Sequence, residues 1–430
     1  AVAVDPPQPV YGAAPPDGPP GPEQPAKQNQ GCLAAGVLQG SDITQEPPAD
    51  RALDLKQVRA MSTGTGVTVA VVDTGVTASP RLPNLVPGGD YVTAGGDGLS
   101  DCDAHGTLIA GIIGGAADPA DKFLGVAPDA RIVSIRYRSS AFGPEHPDSG
   151  GGSGDATRQI RTMARAITHA ANLGAGVIVV SLPVCMPANA AADQSMLAAA
   201  IGYAVHVRGA LIVAGAGSTG ESGCSQNPDI DPSRPTDTRN WKGVQTISSP
   251  GWFAPDVLTV GFTTTTGAQI PETLYGPWVS VAGPGTGIES LGPGRTSVIN
   301  GVSGQDKLVP VGGASFAAAY VAGVAALLRS RYPNETAEEI GARLEAGAHQ
   351  PARGIDNRVG AGMIDPGAAM GFAAPPKAPG DLYRTTALRA GPASRPVDRR
   401  PALIAVLVVV VTVVIGLGAA YVNSTVRRRE

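Results

Sequence analysis

The chain has 430 residues, 43% of them hydrophobic, and a formal charge of -4 from 32 Lys and Arg against 36 Asp and Glu. That length and apolar content allow a globular body with one large core or two smaller ones. The mild charge, with no basic stretch interleaved with aromatics in the soluble part, argues against a nucleic-acid partner.

In chain order, the first segment is Pro-rich (AVAVDPPQPVYGAAPPDGPPGPEQPAKQ) and lacks hydrophobic periodicity. Residues 1–50 are therefore expected to form an extended arm that lies on a body rather than building a core of its own. The sequence opens at Ala1 without Met or an apolar signal region, so it reads as a mature exported chain whose secretory signal has been removed. Four cysteines, Cys32, Cys102, Cys185 and Cys224, are widely spread, with no C-x-x-C or Cys/His cluster of the metal-binding kind. No metal or other cofactor is expected. An even cysteine count in an exported protein points to two disulfides, with four buried free thiols as the plainer alternative. Three pairings are open, of which nearest order gives Cys32 with Cys102 and Cys185 with Cys224, each closing a loop worth up to ~4 kcal/mol.

From Val67 onward, short β-branched runs alternate with Ala-rich runs, which predicts a mostly parallel sheet with helices on both faces, an α/β fold. The strands are expected at 67–72, 131–137, 177–181, 210–214 and 257–261. The helices are expected at 106–115, 157–173, 190–208, 315–331 and 335–346, with an exposed Gly/Pro/Ser loop over 139–157. The body is expected to span residues 51–373, and a Pro/Arg-rich linker residues 374–401. Ala402 to Tyr421 is then uncharged, and about 20 residues of helix cross roughly 30 Å of hydrocarbon, so a transmembrane helix is predicted over 402–422. Arg427, Arg428 and Arg429 follow it directly, which by the positive-inside rule puts the tail 423–430 in the cytoplasm and the body on the extracytoplasmic side. Arg395, Arg399 and Arg400 on the other flank reduce that asymmetry.

Three residues sit where a buried apolar run meets a glycine. Asp73 closes VTVAVVDTG, His105 precedes GTLIAGIIGG, and Ser315 lies in GGASFAAAYVAGVAALL. Carboxylate, imidazole and hydroxyl delivered from separate element ends are the groups of acyl transfer by an activated serine. Each alone has a plainer reading: Asp73 as an exposed turn residue, His105 as a structural histidine, Ser315 as a helix N-cap. His146, His169, His206 and His349 are read as structural, and Asp101 and Asp103 either as groups that support His105 from behind or, the plainer reading, as solvated turn residues. Asp-Thr-Gly also heads an aspartic-protease turn, but the second copy, Asp148-Ser149-Gly150, follows FGPEHP, which is no strand. A lipase-type nucleophile elbow is missing, and the order of the three residues is wrong for that fold.

VAVVDTGV, DAHGTLIAG and GASFAAAYVAGVAALL resemble, in order, the three signature blocks of the subtilisin-like serine proteases. VIVVSLP, LIVAGAG, VLTVG, WVSVAGPGTGI and VGAGMIDPGAAM resemble further segments of that family. The Pro-rich arm, paired cysteines and terminal apolar run make the chain similar to the mycosins, membrane-anchored subtilases of type VII (ESX) secretion systems. The resemblance implies a subtilisin-like fold, an Asp73/His105/Ser315 triad and a membrane-anchored endopeptidase that acts on exported proteins and associates with secretion-complex subunits. The alternative it leaves open is a mainly structural subunit of that complex with weak or dispensable proteolysis. It further implies that Ser181, Leu182 and Pro183 form one wall of the S1 cleft and Ala214, Gly215 and Ala216 the other, and that the arm wraps the body. Three departures stand out. Ser218 occupies the place of the usual oxyanion Asn, Ala314 replaces a Thr before the nucleophile, and Pro183 removes an N–H that would pair with extended substrate. The implied enzyme is slow or selective.

Overall fold

The computed structural model describes residues 4–428 except 13, 14, 16, 147–150, 191, 222, 295, 305, 306, 353 and 379–398, and side chains from 154 onward in the helix that opens at Gly151. Most of the predicted linker and the Asp148-Ser149-Gly150 turn therefore lie outside the described residues. The chain divides into two units, Ala1–Tyr383 and Arg384–Glu430.

The first unit is organised by a seven-stranded sheet: β1 (Thr68–Asp73), β2 (Leu85–Asp90), β3 (Arg131–Arg136), β4 (Val177–Val180), β5 (Leu211–Gly215), β6 (Val257–Thr263) and β7 (Val279–Pro284). Its spatial order is β7-β6-β5-β4-β1-β3-β2 and every pairing is parallel. The alternation of strand side chains explains the unbroken apolar runs. Val69 and Val71 pack on one face with α1 (His105–Gly114) and α4 (Ala314–Arg331), while Ala70 and Val72 pack on the other with α2 (Gly151–Asn172) and α3 (Ser195–Gly202). A further helix, α5 (Ala337–Gly347), opens with a capping box between Thr336 and Glu339. The Ala-rich α4 is buried from Ala314 to Leu328, which small side chains permit by letting neighbours approach closely.

Several elements differ from expectation, beginning with β2 and β7, which are not among the five expected strands. The predicted 190–208 helix begins at Ser195 and ends in a π-turn over Tyr203–Val207, and the predicted 139–157 loop contains a short strand, Phe142–Pro144, and the first turns of α2. That strand exists because the arm supplies its partner: Ala26–Gln28 pairs with it antiparallel. The arm is held along its length by polar contacts. Asp17 receives the Asn172 amide at 2.7 Å, Glu23 pairs with Arg161 at 2.7 Å, and the Val10 N–H donates to the Ala198 carbonyl at 3.1 Å. Both disulfides follow nearest order, Cys32–Cys102 and Cys185–Cys224.

In the second unit the described residues form α6 (Arg400–Val426), 27 residues without a charged side chain after Arg400. At 1.5 Å per residue it is about 40 Å long, enough to cross a bilayer.

Candidate active site

The chain leaves β1 for the sheet edge, returns through β3, and then crosses to β4 on the other side of β1. The strand order therefore reverses at β1, and open α/β sheets form their ligand crevice at the carboxyl ends of strands at such a point. Asp73 is the last residue of β1. Its apolar neighbours carry it fully inside, where the carboxylate accepts hydrogen bonds from the Thr74 N–H (2.7 Å), His105 Nδ1 (2.9 Å) and the Ser181 hydroxyl. Burial pushes its pKa up, but His105, Ser181 and the Thr74 N–H outweigh this and hold it below the usual aspartate range.

His105 opens α1 behind Ala104, which takes a left-handed φ of 62°. A non-glycine residue in that region stores backbone strain, and here it aims the ring back at β1. Gly106 is required by close approach, since a Cβ there would lie 2.0 Å from the Gly75 carbonyl oxygen and 3.1 Å from Asp73 Oδ1. Nδ1 faces Asp73, and Nε2 stands 2.9 Å from Ser315 Oγ. With the proton on Nδ1, Nε2 is the acceptor for the serine hydroxyl. Burial disfavours the imidazolium, yet Asp73 and, more weakly, Asp101 and Glu221 raise the His105 pKa above the ordinary histidine value.

Ser315 is the second residue of α4, after Gly313 at a φ of 120°. The Ala317 N–H bonds the Gly313 carbonyl at 3.3 Å, while the N–H groups of Ala314 and Ser315 come before the ladder of the helix begins. Ser218 approaches the same place: a Cβ on Gly313 would be 3.1 Å from Ser218 Oγ, a buried hydroxyl whose neighbour is the Glu221 carboxyl. A buried hydroxyl thus sits beside the N-terminal end of a helix whose dipole favours negative charge.

The residues at the ends of β4 and β5 lie alongside. Val180 and Ala214 are in register, and a Cβ on Gly215 would be 3.4 Å from the Ala314 carbonyl. Ser181 turns its hydroxyl to Asp73 rather than into open space. The Leu182 carbonyl accepts from Tyr137, the Pro183 carbonyl accepts from Arg138 at 3.5 Å, and Pro183 has no N–H, so this edge has few backbone groups left for an extended peptide. Cys185–Cys224 ties the same edge to the loop that carries Ser218.

Asp101 and Asp103 correct the sequence reading, because both are buried rather than solvated. Asp101 accepts from Thr74 Oγ1 (2.9 Å), Thr107 Oγ1 (2.6 Å) and the Thr107 N–H (2.9 Å), and burial lifts its pKa to about 6. Thr74 Oγ1 in turn accepts the Gly106 N–H at 2.9 Å, so Asp101 braces the turn after Asp73 against the start of the His105 helix. Asp103 anchors Ser139 and Ser140. No sequence pattern separated these aspartates from turn residues; the Thr residues that fix Asp101 lie 27 positions before and 6 after it. Away from the site, His169, His206 and His349 each face an aspartate, Asp17, Asp256 and Asp365. Among the described residues no group of three His, Cys, Asp or Glu side chains is placed to hold a metal ion.

Residues 64–362 match the subtilase family profile, most of the chain. Two relatives extend the match over the whole of it. Mycosin-1 of Mycolicibacterium smegmatis is 45% identical over 100% of this chain and 96% of its own length, and Mycosin-3 of Mycobacterium tuberculosis is 43% identical over 100% and 95%. The chain belongs to the subtilase family, within its mycosin group. Among solved structures, this subtilase is similar to crystalline MycP1 from Mycobacterium smegmatis, with a TM-score of 0.83, 46% identity and coverage of 89% of this chain and 99% of that one. It is also similar to a chain of an intact ESX-5 inner membrane complex, with a TM-score of 0.84, 43% identity and coverage of 98% and 100%. As a subtilase it is a serine peptidase with the subtilisin-like fold expected from its sequence blocks.

Proposed function

We propose that this subtilase is a membrane-anchored serine endopeptidase in which Ser315 attacks the peptide carbonyl, His105 takes its proton and returns it to the leaving amine, and Asp73 orients and stabilises the imidazolium. The observation that carries the reading is the continuous chain from Ser315 Oγ through His105, 2.9 Å at each end, to a fully buried Asp73. The Ser315 N–H and the Ser218 hydroxyl are the oxyanion donors, and Ser181–Pro183 and Ala214–Ala216 bound the S1 cleft. Residues 1–50 are the wrapping arm, 51–373 the peptidase body, 374–401 a linker and 402–422 the membrane span, with the tail 423–430 cytoplasmic and the body on the periplasmic side. Its substrates are exported proteins and its neighbours the subunits of a type VII secretion membrane complex; the relative found in the ESX-5 inner membrane complex supports that placement. Replacing Ser315 by Ala is expected to abolish peptide cleavage while leaving folding and membrane insertion intact, and retained cleavage would refute the assignment.

A second reading, a mainly structural subunit, draws on Ser218 in the oxyanion position. Secretion by a Ser315→Ala strain, compared with a deletion strain, separates the two. Equal loss makes catalysis the essential role, and loss only on deletion makes it scaffolding.

A further inference from the structure

One part of the site comes from outside the peptidase core. A cavity of about 330 Å³ opens beside His105, and one of its walls is Leu33, a residue of the N-terminal arm that is 42% exposed. The arm is fixed at this point from two sides. Cys32 is disulfide-bonded to Cys102, three positions before His105, and the Leu33 N–H donates to the Cys102 carbonyl at 2.9 Å. On the other side, Ala35 and Gly36 pair antiparallel with Val302 and Gly301, and the Ser303 N–H donates to the Ala34 carbonyl at 2.7 Å. Leu33 is thus presented on backbone that has little freedom to withdraw.

We propose that Leu33 is a specificity-determining residue: with Leu108, Leu182, Val302, Pro310 and Phe316 it walls a pocket for an apolar substrate side chain adjoining the residue whose carbonyl is attacked. The inference rests on Ser315 as the nucleophile. An extended peptide places successive side chains on opposite faces, so when the residue under attack points toward the ends of β4 and β5, its neighbours point to the His105 side, where this cavity lies. Most of the polar side chains that share the lining have partners within the protein. Thr74 Oγ1 is held by Asp101 and Gly106, Asp103 by Ser139 and Ser140, and Arg138 reaches the Pro183 carbonyl. What the pocket offers a substrate is therefore mostly apolar contact, with Arg138 at its border, and its recognition does not need the peptide backbone pairing that Pro183 curtails.

The test uses internally quenched decapeptides carrying Leu or Asp on either side of the cleaved residue, digested by the full-length protein in detergent, with labelling of Ser315 by a small fluorophosphonate measured in parallel. The wild type is expected to favour Leu by tenfold or more in kcat/KM. Leu33→Ala should cut that preference about tenfold, through KM, the range for altered packing in an apolar pocket. Leu33→Asp should abolish it, and Ser315 should still be labelled in both variants. Labelling with no Leu preference, or a preference that both variants retain, overturns this inference alone. A wild type that cleaves without being labelled at Ser315 overturns the nucleophile assignment and the inference with it.

Discussion

Replacing Ser218 by Asn is expected to raise kcat. The tetrahedral intermediate needs donors aimed at its oxyanion, and losing one side-chain oxyanion donor in a subtilisin lowers kcat about 10²- to 10³-fold, or ~2.7 to 4 kcal/mol. Here the Ser218 hydroxyl is buried, lies close to Gly313 at the start of the nucleophile helix, and has the Glu221 carboxyl as a competing acceptor. It must turn from Glu221 to donate and is one bond shorter than an amide, so it supplies only part of that stabilisation. If the hydroxyl retains about half, Ser218→Asn gains roughly ten- to thirtyfold in kcat and Ser218→Ala loses a similar factor. KM should change little in either, because the oxyanion exists only after binding. Steady-state kinetics on a quenched peptide checks this, with thermal melting to confirm that Asn fits. Wild-type kcat in Ser218→Ala would refute the reasoning, since it would mean that the hydroxyl does not face the oxyanion.

The kcat/KM profile should rise with pH as His105 loses its proton, with a midpoint above that of an ordinary histidine, because Asp73 and the nearby acids favour the imidazolium. Asp101→Asn removes one of those negative charges and should move the midpoint to lower pH, whereas a purely structural loss would lower the profile without moving it. Removing the Cys185–Cys224 bridge frees a loop with a sequence separation of 39, which the chain-entropy model places at about 3 to 4 kcal/mol. The double Ser variant should melt earlier and also lose kcat, because that loop carries Ser218. Buried Glu289 has a pKa raised from 4.5 to about 7, so the folded state binds the extra proton and stability falls as pH rises between those values. Glu289→Gln should match the wild type near pH 4 and exceed it above pH 7 by about 1 to 2 kcal/mol, after allowance for partial solvation, in chemical denaturation curves.

The sequence carried the parts of this structure that depend on local pattern. The β-branched runs at 69–72, 177–180 and 211–213 are strands because both their faces are covered, and that coverage is visible as unbroken hydrophobicity. Asp73, His105 and Ser315 could be singled out because each stands where an apolar run, a strand for Asp73 and a helix for the other two, meets a glycine. Strand β2, with the sequence LVPGGD, carries a proline and two glycines and shows no apolar run; it pairs at the sheet edge, where only β3 lies beside it. The burial of Asp101 and Asp103, the bond from Ser181 to Asp73, and the reach of Leu33 into the cleft all come from residues distant in sequence. Their signal is a three-dimensional neighbour rather than a period or a motif. The short strand at 142–144 is the same case, since only the arm makes it one.

The central claim is that Ser315 is the nucleophile and that His105 and Asp73 activate it. Intact-protein mass spectrometry with peptide mapping after fluorophosphonate treatment tests it most directly. One adduct on Ser315 is predicted, absent in Ser315→Ala and formed at least a hundredfold more slowly in His105→Ala, in line with the loss of a general base. An adduct on another serine, or undiminished labelling without His105, would contradict it.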